Sequence, residues 1–219
     1  MSKSSEVVEL LLEQPDAFKV IEAAQNKLRE EQARRERFYD EITPDIKAEF
    51  INGEMIVHSP VRSRHAFVSD CAFRIVSLYT LRHQLGRSTH EKVMSRFTRN
   101  DYEPDIMFFR KEKADAIQPN QALFPVPDFV IEVLSSATEG RDRGVKYNDY
   151  ASHGVEEYWM IDADADIIEQ YHLENGEYKL IKKTDEGVVH SFVIEGLNIP
   201  VRAMFDHEIH VKFVQEILA

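Results

Sequence analysis

Two carboxylates stand where apolar side chains would be expected. Glu132 interrupts the run Phe129-Val130-Ile131-Glu132-Val133-Leu134, and Asp105 opens Asp105-Ile106-Met107-Phe108-Phe109. Both runs read as largely buried strands, where a carboxylate is costly unless a cation or a proton compensates it. Lys146 follows on the helix expected after the second strand. Two core strands that each supply one carboxylate, with a lysine close by, make a site for a hard divalent cation. Mg²⁺ keeps several waters and needs only one or two protein carboxylates. Neighbouring strands lie about 5 Å apart, so two such groups reach one ion when they project to the same side. The ion makes its water easier to deprotonate and offsets charge on a phosphoryl group, while an ammonium orients the water or stabilises the transition state. The set is coherent as metal-assisted phosphodiester hydrolysis. The alternative is a buried ion-pair network in which these carboxylates neutralise Lys146 or an arginine.

The elements that must position these groups follow from pattern and punctuation. Residues 16–40 are charged and helix-favouring, with Phe18, Ile21, Ala24 and Leu28 near helical spacing, and they predict an N-terminal helical arm over 1–42. A polar turn is expected at Thr43-Pro44-Asp45. Asn52-Gly53 between apolar runs predicts a tight hairpin, with Glu54 opening the returning strand. A helix is expected over 64–85, ended by Gly86, then strands near 89–98 and 103–109. The polar stretch 110–126 reads as a loop with a short helix. After the Glu132 strand come a helix near 141–153, strands at 155–162 and 167–173, an Asn175-Gly176 hairpin into 178–182, and a strand at 188–194. A short helix near 200–206 and a strand or helix at 208–218 complete the chain. This order fits an α/β or α+β fold: one sheet with helices on each face, in a single domain over 43–219 after the arm.

Composition sets bounds. The 219 residues are 43% hydrophobic and 30% charged, enough to bury one sizeable core. No run approaches a membrane span, and the polar start lacks a signal peptide's apolar segment. The single Cys71 excludes an intramolecular disulfide, which makes a cytoplasmic location the default, and its apolar helical neighbours favour packing over catalysis. The net charge of −12 repels phosphate backbones. Nucleic-acid binding would need bound metal or a local basic surface, for which Arg62, Arg64, Arg96, Arg141 and Arg143 are among the candidates.

Other motifs carry less. His65 opens a helix and could cap it, contact a substrate phosphate or supply a proton. Tyr150 lies four residues after Lys146, on the same helix face, and it and Trp159 read as core anchors whose polar tips find partners. The remaining histidines show no zinc spacing, His207 and His210 included. Asp162, Asp164 and Asp166 lack the glycine and distal glutamate of a calcium loop and read as a polar turn.

Taken together, EFINGEMIVHSP at 49–60, His65, EPDIMFF at 103–109, PDFVIEVLS at 127–135, Lys146, Tyr150 and GVEEYWMID at 154–162 resemble the PD-(D/E)XK nuclease superfamily. More narrowly they resemble its Uma-two family of bacterial restriction endonuclease domains, over about residues 45–205. The resemblance implies a restriction-endonuclease-like mixed sheet flanked by helices, with Mg²⁺ as cofactor and Mn²⁺ as a substitute. It implies DNA as substrate, Asp105 and Glu132 as metal ligands, and Glu54 as a further acidic member. His65 and Tyr150 would touch or support the substrate site. The superfamily's usual lysine, two residues after the glutamate, is Leu134 here; in the Uma-two family it moves to the next helix, where Lys146 stands. The implied activity is metal-dependent endodeoxyribonuclease, with a non-cutting, dimeric nuclease-fold binding module as the alternative. A homodimer fits a duplex with two strands to cut.

Overall fold

Two Asn-Gly pairs turn the chain back on itself as the pattern requires. Asn52 and Gly53 take φ of 52° and 87°, and Asn175 and Gly176 take 53° and 82°, the left-handed pair that a two-residue hairpin turn demands. The computed structural model describes residues 3–43, 45–90 and 92–219. The expected turn at Thr43-Pro44-Asp45 runs through Pro44, outside the described residues.

Helices α1 (Lys3–Leu12) and α2 (Ala17–Glu41) precede the hairpin of β1 (Ala48–Ile51) and β2 (Glu54–Val57). Helix α3 (Ser63–Arg82) leads to β3 (Gly86–His90), β4 (Met94–Arg96), β5 (Asp101–Tyr102) and β6 (Ile106–Arg110). After α4 (Lys111–Ala116) and β7 (Leu123–Phe124) comes β8 (Phe129–Leu134), the Glu132 strand. A short α5 (Glu139–Arg141), a π-helical turn over Asp142–Lys146 and α6 (Tyr147–Ser152) form one continuous helical segment. Strands β9 (Glu157–Asp162), β10 (Ile167–Glu174), β11 (Glu177–Thr184), β12 (Val188–His190) and β13 (Asn198–Pro200) follow, then a 3₁₀ turn at Val201–Met204 and α7 (His207–Leu218).

Eleven of the strands form two mixed sheets rather than one, and β12 and β13 pair as a separate two-stranded sheet. The larger has the order β11-β10-β9-β8-β6-β3, with β8 parallel to β9 and antiparallel to β6; the smaller has the order β2-β1-β5-β4-β7. The single strand expected over 89–98 is therefore two strands in different sheets, β3 and β4, with Glu91 between them outside the described residues. The strand expected at 188–194 ends at His190, and the ambiguous tail is helical. Asp162 Oδ1 accepts the backbone N–H of Asp164 and Ala165, so the acidic trio forms a turn.

Period-two alternation divides the larger sheet into two faces. Phe129, Ile131 and Val133 of β8, with Ile106 and Phe108 of β6 and Trp159 and Ile161 of β9, pack toward α3 and α7. Val130, Leu134, Met107, Phe109, Tyr158 and Met160 face the other way, against Tyr102 and Phe97 of the smaller-sheet segment and Tyr150 of α6. Each fully buried aliphatic or aromatic side chain contributes roughly 1.5–3 kcal/mol. On the outer face of the smaller sheet, Phe38 of α2 packs on Phe50, ring centroids 5.6 Å apart. Nearby Arg35, also buried, grips Asp101 through two bonds of 2.6 Å and caps the carbonyls of Phe97, Thr98 and Asn100. Its last turns thus fasten α2 to the sheets, while Val7, Leu10, Leu12 and Phe18 at the start of the arm are exposed.

Candidate active site

Glu132 lies between Ile131 and Val133, so it projects to the inter-sheet face shared by Val130 and Leu134. Asp105 stands two residues before Met107 and falls on that same side. The pairing of β6 with β8 reaches Ile106 opposite Ile131, and one step further sets Asp105 beside Glu132. A backbone bond fixes the aspartate: Val133 N–H donates to Asp105 Oδ2 at 2.9 Å. Asp105 and Glu132 are 6% and 4% exposed. They line a cavity of about 490 Å³ together with Lys146, His65, Lys47, His58 and Glu103.

The helical segment after β8 brings Lys146 in. The π turn places both Asp142 and Lys146 in the buried interior, an irregularity that recurs at functional sites. Lys146 Nζ donates to Glu132 Oε1 at 2.9 Å, lies 2.9 Å from Glu49 Oε1, and stands 3.3 Å from Asp142 Oδ1. Tyr150 Oη donates to Glu132 Oε1, also at 2.9 Å. The lysine and the tyrosine, four residues apart, converge on a single carboxylate oxygen. His65 Nε2 and Lys47 Nζ each lie 3.5 Å from an oxygen of Asp105, an electrostatic distance longer than a good hydrogen bond.

Glu54 does not join this group. It is exposed at the hairpin tip, opposite Ile51, and is absent from the cavity wall. Ile56, two residues on, does line the cavity, and the roughly 6.6 Å advance between the two positions carries Glu54 beyond it. The acidic residue that the hairpin brings to Lys146 is Glu49, buried in the middle of β1 and, like Glu54, not itself on the cavity wall. Its Oε1 accepts the backbone N–H of Glu103, and its Oε2 lies 3.1 Å from His58 Nε2. Sequence reasoning passed over Glu49 although Ala48-Glu49-Phe50-Ile51 carries the signal that marked Glu132: a carboxylate inside an apolar strand. Asp142 offered no such signal, because only the π turn aims it inward. Of the histidines, His210 is buried with Nδ1 against the Ala203 carbonyl, away from this cavity. Cys71 is buried and packed, its thiol pushed up to about 11 by burial.

The electrostatics are those of a site short of positive charge. Burial pushes Glu132 up to about 8, with Asp142, Asp105 and Glu49 adding to the shift and Lys146 opposing it. Burial raises Glu103 to about 7 and raises Asp142 as well. Burial would also raise Asp105, but His65, Lys47 and the Val133 N–H hold it at about 2; Lys146 and His58 do the same for Glu49. One oxygen of Glu103 is buried without a hydrogen-bond partner, and Asp142 is offset by Lys146 3.3 Å away. A bound cation would stabilise such buried acids in place of their protons. Among the described residues no three His, Cys, Asp or Glu side chains are gathered as a closed metal cage. The two adjoining carboxylates, Asp105 and Glu132, are the donors that would hold a hard cation here, with its remaining positions left to water and substrate.

Two mixed sheets flanked by helices, carrying this group between them, define a nuclease-like α+β architecture. Residues 30–202 match the model of the Uma2 family, described as "Putative restriction endonuclease", and the chain belongs to that family. It is similar to a solved protein from Anabaena variabilis ATCC 29413, described as "a putative nuclease belonging to DUF820", with 19% identity and a TM-score of 0.66. That match covers 77% of this chain and 94% of the other, and at this identity it is a likeness of fold. No curated protein matches the chain.

Proposed function

We propose that the chain is a Mg²⁺-dependent endodeoxyribonuclease whose ion is held by Asp105 and Glu132. The observation that carries the reading is the meeting of these carboxylates, one at the start of β6 and one in neighbouring β8, with Lys146 in one cavity. When bound, the ion would supply Lewis acidity to a phosphodiester and a more acidic water. The chain's own residues do the rest. Lys146, held between Glu132 and Glu49, orients a nucleophile or steadies developing charge. Tyr150 fixes the Glu132 oxygen, and Glu49 takes the place in the site that the hairpin's Glu54 does not. His65 and Lys47 keep Asp105 ionised and ready to ligate.

Incubation of plasmid, linear duplex and single-stranded DNA with Mg²⁺ or Mn²⁺ tests this, beside an Asp105→Asn, Glu132→Gln double variant. Metal-dependent cutting that the variant loses is the expected result. Equal cutting by both proteins refutes the assignment. One observation favours a second reading, a non-cutting nuclease-fold module. Lys146 is enclosed by three carboxylates, as in a structural ion-pair network. Under either reading we take the molecule as a homodimer joined through the exposed apolar start of its arm. Removal of residues 1–16, which spares Arg35 and Phe38, should then yield monomers by light scattering.

A further inference from the structure

In this acidic protein, arginines near carboxylates are spent on them. Arg35 holds Asp101, Arg64 and Arg202 share Asp166, Arg99 holds Glu31, and Arg143 spans Glu139 and Glu169. Arg141, only two residues before Arg143, is different. Its side chain lines the cavity that contains Asp105 and Glu132. Its Nε is buried yet has no hydrogen-bond partner, and among the described residues it forms no ion pair. A desolvated N–H donor without an acceptor is a costly arrangement to keep, and in a cavity already rich in carboxylates this guanidinium remains uncommitted. Its planar fork matches the oxygens of a phosphate. Arg62, exposed on another part of the cavity wall, is a second guanidinium without an ion pair among the described residues.

The cavity also constrains what brings the phosphate. Its volume of about 490 Å³ is that of a small-molecule site, suited to a nucleotide or two of one strand. The carboxylates within it are almost wholly buried, so a stacked duplex lying across the mouth would leave its backbone short of them. Enzymes that act on a base hidden in the stack solve an analogous problem of access by acting on single strands or drawing nucleotides out of the helix. Resting on the nuclease reading, we infer that Arg141 is a substrate-binding residue that receives a phosphate of a single nucleic-acid strand entering the cavity.

The test is binding rather than cutting. A short fluorescent single-stranded oligodeoxynucleotide and its blunt duplex are titrated by anisotropy with Ca²⁺ across a salt series. The proteins are the Glu132→Gln chain and that chain carrying Arg141→Ala or Arg141→Lys, each checked for an unchanged melting temperature. We expect the single strand to bind more tightly than the duplex. Arg141→Ala should weaken single-strand binding about tenfold, as for loss of a charge-assisted bond, and should lower the slope of log affinity against log salt by about 0.7. Arg141→Lys should restore the slope and part of the affinity, which a merely structural role would not require. Unchanged affinity and slope in Arg141→Ala, preference for the duplex, or no binding of either oligonucleotide overturns the inference. The nuclease reading stands or falls separately, on metal-dependent cleavage by the unmodified chain.

Discussion

Lys146 Nζ lies 2.9 Å from Glu49 Oε1, and this contact ties the helix packed on the larger sheet to the hairpin of the smaller one. The same ammonium holds Glu132, so one side chain joins both sheets at the place where the chemistry is proposed. Replacing it with Met removes the cation that three buried carboxylates share and leaves Glu49 only His58. We expect Lys146→Met to lose about 3–5 kcal/mol of stability in denaturant titration, along with all cleavage. Adding Glu49→Gln should recover part of the stability and none of the activity. Full recovery of cleavage in the double variant would show that the lysine serves packing alone.

Metal should stabilise the native state by mass action. Mg²⁺ at a hundredfold excess over its Kd contributes about 2.7 kcal/mol, seen as a rise in melting temperature that Glu132→Gln largely abolishes. An equal rise in both proteins would place the cation elsewhere. Burial holds the Glu132 proton up to about pH 8, and a ligand must be deprotonated to bind. Apparent Mg²⁺ affinity should therefore increase from pH 7 to pH 9; an affinity flat across that window contradicts the protonation state assigned to Glu132.

The hairpin offers a direct comparison between two glutamates five residues apart. Glu54 is exposed and Glu49 is buried against Lys146. Glu54→Ala should change stability by less than about 0.5 kcal/mol and leave cleavage as it was. Glu49→Gln should sharply reduce cleavage. The reverse ranking, measured in the same assay, would return the hairpin's functional role to Glu54.

Glu103 gives a stability signature of its own. Burial raises its carboxyl to about 7, against roughly 4.3 in an unfolded chain. The folded state therefore holds the proton more tightly. That stabilisation is complete below about pH 4.3 and is lost as the pH rises through 7. In EDTA, Glu103→Gln should remove this decline and leave the protein more stable at pH 8 by on the order of 1–3 kcal/mol, the cost of an unpartnered buried group. A variant no more stable than its parent at pH 8 would mean that Glu103 is solvated or paired.

Much of the candidate site was legible because burying charge is expensive. Glu132 and Asp105 stood out against their apolar neighbours, and the pairing of β6 with β8 then places both on one face. Lys146 and Tyr150 followed from helical spacing, although the turn that aims Lys146 is wider than α-helical. What escaped were relations that no single segment contains. Glu49 meets Lys146 only because two sheets close on each other, and the division of 89–98 between those sheets leaves little local trace. Arg141 was one surface cation among many until its lack of a partner became visible. The reach of Glu54 was misjudged for a related reason. Strand alternation specifies a side but not how far along the strand a cavity extends.

The π turn over Asp142–Lys146 makes the site sensitive to chain length. One residue more or fewer rotates a helical position by about 100°. Deleting a single residue there would let the segment relax to regular α-helix, swinging Lys146 off Glu132 while the hydrophobic face of α6 realigned. The strands and their sheets would survive such a lesion. A one-residue register change would thus be a ready route from the proposed cutting site to a silent one, with the scaffold intact.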